Sequence, residues 1–229
     1  MSLYFILLTA SVGVPFLLSF DKRLRFYKKW KYVLPSITAV ALVYIVFDIL
    51  LTANGVWGFN PKYLSGIYFY NLPIEECLFF VAIPYASLFL HYSVIEYFPK
   101  LKVPGKAARI ITLALITVSV AIIAFNYSNQ YTLYILLKFI VVLLLSFFDR
   151  KNTINTFYIT FLVILVPFVI VNGILTGSFI DEEVIWYNND ENLGIRFFTI
   201  PVEDFAYAFS MILFNLLLIG QLEKIRTRK

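Results

Sequence analysis

Seven long apolar stretches constrain the fold of this chain more than any other feature. A helix needs roughly 20 apolar residues to cross the hydrocarbon core of a bilayer, and only helices and closed barrels satisfy their backbone hydrogen bonds there. The stretches therefore predict an all-α, polytopic membrane bundle of seven transmembrane helices. The predicted spans are Leu3–Phe20, Val33–Leu51, Ile67–Tyr92, Ala108–Phe125, Tyr131–Phe148, Phe157–Leu175 and Ile195–Ile219.

Composition excludes several other classes of protein. The chain is 61% hydrophobic and 14% charged, whereas soluble domains are about 45–50% apolar and about 25% charged. A soluble enzyme and a disordered protein are thereby excluded. The single cysteine and single histidine argue against a disulfide framework and a metal site. Because the sequence has no glycine-rich nucleotide motif either, we expect no cofactor and no metal.

The net charge of +5 is gathered in short clusters between the apolar stretches, which argues against nucleic-acid binding. Basic clusters follow the first, third, fifth and seventh stretches, and the loops between them carry one Lys at most. This alternation predicts a cell-membrane protein with its N-terminus outside and its C-terminus in the cytoplasm. The basic residues are Lys22, Arg23, Arg25, Lys28, Lys29, Lys31, Lys100, Lys102, Lys106, Arg150, Lys151, Lys224, Arg226, Arg228 and Lys229.

The sequence also repeats itself. Residues 66–76, GIYFYNLPIEE, match residues 194–204, GIRFFTIPVED, without a gap at an offset of 128. Chance similarity between apolar segments is the alternative, but Gly, Pro and two acids all coincide. The match predicts two parallel three-helix repeats, residues 1–105 and 129–229, joined by a linker helix in residues 106–128. A site is expected where such repeats meet.

Two acidic pairs are the candidate catalytic groups: Glu75 with Glu76, and Glu203 with Asp204. If their helices begin near the preceding glycines, the acids lie roughly 13–15 Å along the helix, about halfway through the membrane. Ionisable groups at that depth usually face the bundle interior, and a protonated and an ionised carboxyl together form an acid–base pair. Alternatively, the helices begin at the prolines, and the acids are ordinary first-turn residues at the outer interface.

Aromatic side chains surround the acids in the sequence. The chain holds 24 Phe, 16 Tyr and 3 Trp, and Phe79, Phe80 and Tyr207 each lie one helical turn from an acid. Desolvated aromatic faces attract cations, so a pocket built from them would suit a carbocation. Core packing is the alternative explanation for these residues.

Four polar residues have two open interpretations each. Ser87 and Asn215, each 11 residues after an acid, either line the same cavity or hydrogen-bond across helices. Asp48 either joins the acidic cluster or lies at the interface. Lys138 lies well inside an apolar stretch, where it either snorkels to the surface or makes a polar contact.

At these residues the chain resembles the heterodimeric-type lycopene cyclase family, in its fused single-chain form. The resemblance rests on Pro73-Ile-Glu75-Glu76 and Pro201-Val-Glu203-Asp204, and it spans nearly the whole chain. It implies that the substrates are lycopene and other linear carotenoids dissolved among the membrane lipids. Their ends would close into six-membered rings, with β rings expected, by a cofactor-independent isomerisation.

The resemblance also implies roles for the candidate residues. Glu75 and Glu203 would be the principal acid and base, in either order, with Glu76 and Asp204 supporting them. Asp48 and the aromatic and polar residues above would bind substrate. Another carotenoid-modifying enzyme, such as a hydratase, and a small transporter of three-plus-one-plus-three helices remain alternatives. The sequence leaves the oligomeric state open.

Overall fold

The structure is a computed structural model that describes residues 2–226, and most of these residues form seven α-helices. Met1 and residues 227–229, including the basic Arg228 and Lys229, lie outside the described residues. The predicted all-α bundle is therefore confirmed. The helices are α1 Leu3–Leu18, α2 Trp30–Ala53, α3 Ile74–Tyr97, α4 Gly105–Phe125, α5 Gln130–Ser146, α6 Thr153–Leu175 and α7 Glu203–Arg226.

Five of these helices, namely α2, α3, α4, α6 and α7, are long and apolar enough to cross a membrane, which indicates a membrane protein. The helices α1 and α5 are apolar but have only 16 and 17 residues. At 1.5 Å per residue they span about 24–26 Å, short of the ~30 Å hydrocarbon core. The number of seven crossings therefore stays a prediction.

Short strands fill the two loops that lead into α3 and α7, and the sequence analysis did not predict them. The first loop holds β1 and a hairpin of β2 and β3; the second holds β4 and a hairpin of β5 and β6. The same order of elements thus occurs on both sides of α4. The strands are β1 Trp57–Phe59, β2 Tyr68–Phe69, β3 Leu72–Pro73, β4 Ile185–Tyr187, β5 Arg196–Phe197 and β6 Ile200–Pro201.

Strands β1 and β4 pair with each other in antiparallel register, with Gly58 opposite Trp186. They form a two-stranded ribbon that joins the half containing α1–α3 to the half containing α5–α7. Residue 57 is opposite 187 and residue 59 is opposite 185. Since 185 and 187 are the counterparts of 57 and 59 at the offset of 128, the ribbon pairs equivalent segments of the two halves.

The hairpins also correct the predicted starts of two helices. The spans Ile67–Tyr92 and Ile195–Ile219 begin too early, because α3 begins at Ile74 and α7 at Glu203. Each helix follows a proline, Pro73 or Pro201, which lacks a backbone N–H and disfavours helical geometry in the residue before it. The expectation that the acids lie roughly 13–15 Å along their helices is therefore wrong: they occupy the first turn.

The helices of the two halves interlock. Helix α1 packs on α3 and α5 on α7, while α2 reaches across to α7 and α6 reaches across to α3. Helices α3 and α7 also touch each other at the centre of the bundle. Both acid-bearing helices are therefore packed against elements from both halves.

Candidate functional site

A small polar cavity lies beneath the ribbon, where α2, α3, α5, α6 and α7 meet. Its volume is about 50 Å³, room for one or a few water molecules. Three carboxyl groups line it, those of Asp48, Glu76 and Asp204. The other lining residues are mostly aromatic or apolar: Trp57, Phe79, Ile83, Tyr131, Phe168, Asn172, Ile185, Tyr187, Tyr207, Ala208 and Met211.

All four predicted acids are buried although they stand in the first turns of their helices. Their exposed fractions are 0% for Glu75, 4% for Glu76, 2% for Glu203 and 5% for Asp204. The alternative interpretation from sequence was therefore right that the acids stand in the first turns of their helices. The strands before each helix cover its N-terminus, where the helix dipole favours negative charge.

The first acid of each pair fastens a loop to its helix. Glu75 Oε1 accepts hydrogen bonds from the Ser65 N–H at 2.6 Å and from the Ser2 hydroxyl at 2.8 Å. Glu203 repeats this arrangement, accepting from the Leu193 N–H at 2.8 Å and from the Thr132 hydroxyl at 2.7 Å.

These two first acids are not among the residues that line the cavity. The Oε2 atoms of Glu75 and Glu203 are buried and have no hydrogen-bond partner within residues 2–226. The contacts made through their Oε1 atoms join the start of the third helix of each half to the start of its first helix. Both groups therefore hold a loop against the start of a helix, outside the lining of the cavity.

The second acid of each pair faces the cavity and accepts a hydrogen bond from a tyrosine. Tyr4 donates to Glu76 Oε2 at 2.5 Å, and Tyr131 donates to Asp204 Oδ1 at 2.5 Å. Both tyrosines belong to the first helix of their half. The two halves thus offer the cavity one matched carboxyl–tyrosine pair each.

Asp204 has two further donors. Its Oδ2 accepts hydrogen bonds from the Asn172 amide at 2.8 Å and from the Tyr187 hydroxyl at 3.0 Å. Burial and the nearby Asp204 carboxylate raise the pKa of Tyr187 well above its usual value, so its hydroxyl keeps the proton that it donates. Asp204 therefore accepts three side-chain hydrogen bonds, whereas Glu76 accepts one.

Asp48 lies in the same cavity, and the Tyr207 hydroxyl donates to its two carboxyl oxygens at 3.0 and 3.2 Å. Phe79 and Tyr207 both line the cavity. Phe80 does not; it is 1% exposed and packs against Tyr44 and Tyr207, with ring centroids 6.1 and 6.4 Å away.

Ser87 and Asn215 occupy different environments despite their matched spacing. Asn215 Oδ1 accepts a hydrogen bond from the Ser36 hydroxyl at 2.9 Å, which ties α2 to α7 away from the cavity. Ser87 lines a large apolar groove between α1, α3 and α6.

This groove has a volume of about 680 Å³ and runs up to the cavity. Five residues line both spaces, so the groove and the cavity adjoin: Phe79, Ile83, Phe168, Asn172 and Ala208. Exposed apolar side chains such as Val14 and Val166 line the groove as well, so it opens on the surface of the bundle. A long hydrocarbon could therefore lie in the groove with one end against the carboxyl groups.

A family model described as lycopene cyclase matches residues 1–95 and 128–222, most of the chain. The chain belongs to the lycopene cyclase family. No curated protein and no solved structure gives a match. Membership of the lycopene cyclase family implies an enzyme that cyclises lycopene, and hence a carotenoid substrate. Within residues 2–226, no group of three or more His, Cys, Asp or Glu side chains could hold a metal ion.

Sequence reasoning missed three tyrosines of this cyclase-family site. Tyr4 and Tyr131 stand near the starts of the first and fifth apolar stretches, but their offset of 127 is one residue short of the 128 of the repeated motif, so the repeat alone does not align them. Tyr187 reaches Asp204 from strand β4, which pairs with β1. Because that pairing joins residues far apart in the chain, no local pattern could have revealed it.

Proposed function

We propose that this chain is a lycopene β-cyclase that closes the linear ends of lycopene by acid–base catalysis without a cofactor. The observation that carries the proposal is a buried cavity in which two carboxyls with unequal hydrogen bonding stand at the end of an apolar groove. The groove suits a linear polyene entering sideways from the bilayer. Family membership supports the same activity.

In this proposal Glu76 is the general acid. It accepts one side-chain hydrogen bond and shares a buried cavity with two other carboxyl groups, conditions that favour its neutral form. Its proton adds to the terminal double bond of the polyene, which leaves a tertiary carbocation on the neighbouring carbon. The faces of Phe79 and Tyr207 are placed to stabilise that cation.

Asp204 is the proposed general base. Its three hydrogen-bond donors stabilise the carboxylate. The next double bond of the polyene attacks the cation and closes the six-membered ring, and Asp204 then removes a ring proton. One proton is given and one is taken, so the product is an isomer. Which proton leaves decides the ring type, and we propose the β ring.

Glu75 and Glu203 take a different role from the one expected from sequence. We assign them to positioning, because both are held by a loop N–H and a hydroxyl and neither lines the cavity. Each fixes the first turn of its helix, and thereby the direction of the acid that follows it. The acid and base roles pass to Glu76 and Asp204.

The proposed setting is the cell membrane, with the strands on the outer side. Basic turns lie at the end of the bundle away from the strands, where Arg23 pairs with Glu96 at 3.5 Å and Lys151 with Glu223 at 2.6 Å. This end would face the cytoplasm with the C-terminus. Residues 1–105 and 129–229 are the proposed repeats, and α4 links them.

Expression in a lycopene-accumulating bacterium tests the activity. We expect a change from red lycopene to yellow-orange bicyclic pigment, identified by chromatography of the extracted carotenoids. Unchanged lycopene despite full membrane expression would contradict the proposal. A hydroxylated linear product would show instead that water captures the cation, as in a hydratase.

Four amide variants test the residue roles. Glu76→Gln and Asp204→Asn are expected to lower cyclisation at least 100-fold, the scale of general acid–base catalysis, with the protein still folded. Glu75→Gln and Glu203→Gln are the matched controls, and they should keep most of the activity because an amide oxygen still accepts the loop N–H. Full activity in the first two variants would remove these residues from the mechanism.

A further inference from the structure

The apolar groove has a counterpart in the other half of the chain, and that counterpart is occupied by a lysine. Five residues mark the inner part of the open groove: Ser11, Phe79, Phe168, Val171 and Asn172. The equivalences between halves follow from the shared tyrosine–acid bonds and from sequence offsets of 124 to 128. The five counterparts, in the same order, are Lys138, Tyr207, Tyr44, Phe47 and Asp48.

These counterparts close around the ammonium group of Lys138. Its Nζ lies 4.7 Å from the ring centroid of Tyr44, 5.2 Å from that of Phe47 and 4.5 Å from that of Tyr207. The same Tyr207 donates to Asp48 at 3.0 Å. Where the open groove has a serine hydroxyl, this side has a long side chain inside an aromatic cage.

Burying the ammonium group of Lys138 costs free energy, which argues that the residue has a role. Its Nζ is buried and has no hydrogen-bond partner within residues 2–226. A buried ammonium is unfavourable unless charges or ring faces compensate it, and here three rings and the Asp48 carboxyl do so. This chain therefore stabilises a cation at a place where its other half leaves space.

We propose that Lys138 is a specificity-determining residue that closes the second groove, so that a polyene reaches the carboxyls from one side only. The identity of the polyene rests on the proposed function; the closure itself rests on the cage. Of the two equivalent grooves in the described chain, one is open and its counterpart is closed, so each chain holds one carotenoid end against the carboxyls at a time. The two ends of lycopene are then cyclised in two separate binding events.

Counting bound lycopene per chain tests this proposal. The Glu76→Gln protein in lipid nanodiscs avoids turnover, and induced circular dichroism of the polyene band separates protein-bound from lipid-dissolved lycopene. We expect one lycopene per chain in this parent and two after Lys138→Ser is added. Lys138→Met is the matched control, because a methionine fills about the same volume of the second groove as the lysine does. This variant should still bind one lycopene per chain.

Three other results for the number of lycopene molecules bound per chain would overturn the proposal that Lys138 closes the second groove. These are one lycopene with Lys138→Ser, two with Lys138→Met, or none in the parent protein. If Lys138→Ser does not fold, Ser11→Lys gives the reverse test, because a lysine there should plug the open groove and abolish binding. Retained binding by Ser11→Lys would equally overturn the proposal.

Failure of the closure can be told apart from failure of the cyclase assignment. A wild-type protein that makes rings while the Lys138→Ser count stays at one refutes the closure alone. A wild-type protein that binds one lycopene and makes no rings refutes the cyclase assignment. In that case a Lys138→Ser count of two still supports the closure.

Discussion

Neighbouring acids on a helix point about 100° apart, because an α-helix has 3.6 residues per turn. Each Pro-x-acid-acid motif uses this angle to give its two carboxyls different surroundings. The first acid meets a loop N–H and a hydroxyl, and the second meets a tyrosine and the cavity. Two similar carboxyl groups at adjacent helix positions thereby contact different partners.

The tyrosines allow a prediction at this scale. Tyr4→Phe should lower cyclisation about 10- to 100-fold, because Tyr4 donates to Glu76 and its hydrogen bond to the carboxylate that remains after proton transfer is worth about 1.5–3 kcal/mol. Tyr131→Phe should lower it less, because Asn172 and Tyr187 still donate to Asp204. Product formation in isolated membranes measures both, and a larger loss with Tyr131→Phe would contradict the assignment.

The hairpins before α3 and α7 are the elements that bury the acids. The first hairpin is entered through Gly66 at φ +81°, a conformation that L-residues with a Cβ rarely adopt. A Cβ at Gly66 would meet nothing within 4 Å. The glycine is therefore required by backbone geometry alone.

Gly66→Ala is accordingly expected to destabilise the protein by about 1–2 kcal/mol. Gly13→Ala is the matched control, since Gly13 lies inside α1 with open space around it. Replacing a glycine inside a helix with alanine should instead stabilise the protein by about 0.5–1 kcal/mol. Thermal unfolding in detergent measures both changes, and equal effects of the two variants would argue against the role given to Gly66.

Ser87 and Asn215 show how element packing separates residues that sequence spacing makes equivalent. Asn215→Ala should lower stability by about 0.6–1.7 kcal/mol, the range for hydrogen bonds between membrane helices, and leave cyclisation nearly unchanged. Ser87→Leu should narrow the groove and lower cyclisation more than stability. Parallel unfolding and product assays test the pair; loss of activity in Asn215→Ala at unchanged stability would contradict the prediction.

The sequence predicted what depends on local pattern. Long apolar runs predicted the helices, and the duplicated motif brought the two acidic pairs to attention. The predicted spans begin before Ile74 and Glu203, because apolar residues such as Tyr68 and Phe69 continue the hydrophobic run while forming a strand; only the alternative that starts each helix at its proline comes close. The unequal roles within each pair depend on Tyr4 and Tyr131, which lie 72 and 73 residues from the acids that they contact, beyond any periodicity.

At the scale of the molecule, both halves build one cavity. Asp48 and Glu76 come from the first half, and Tyr131 and Asp204 from the second. Within the described chain, α4 is not among the elements whose residues line the cavity or the open groove. We therefore expect the linker helix to join the halves without contributing to the site.

Separating the halves tests this view. Residues 1–104 and 126–229, expressed alone, should each leave lycopene unchanged because each lacks part of the cavity. Co-expression of the two pieces should restore ring formation, since α2 packs on α7 and α6 on α3 without help from α4. Chromatography of the extracted pigments measures ring formation. Ring formation by either piece alone would contradict the view that both halves are needed to build the cavity.

The β1–β4 ribbon has one more consequence. It is made of one strand from each half and also walls the cavity, through Trp57, Ile185 and Tyr187. Pairing with β1 therefore braces the strand from which Tyr187 donates to Asp204. The proposed site is complete only once the two halves have packed together. A newly made chain whose halves are still apart should therefore not act on the hydrocarbons around it.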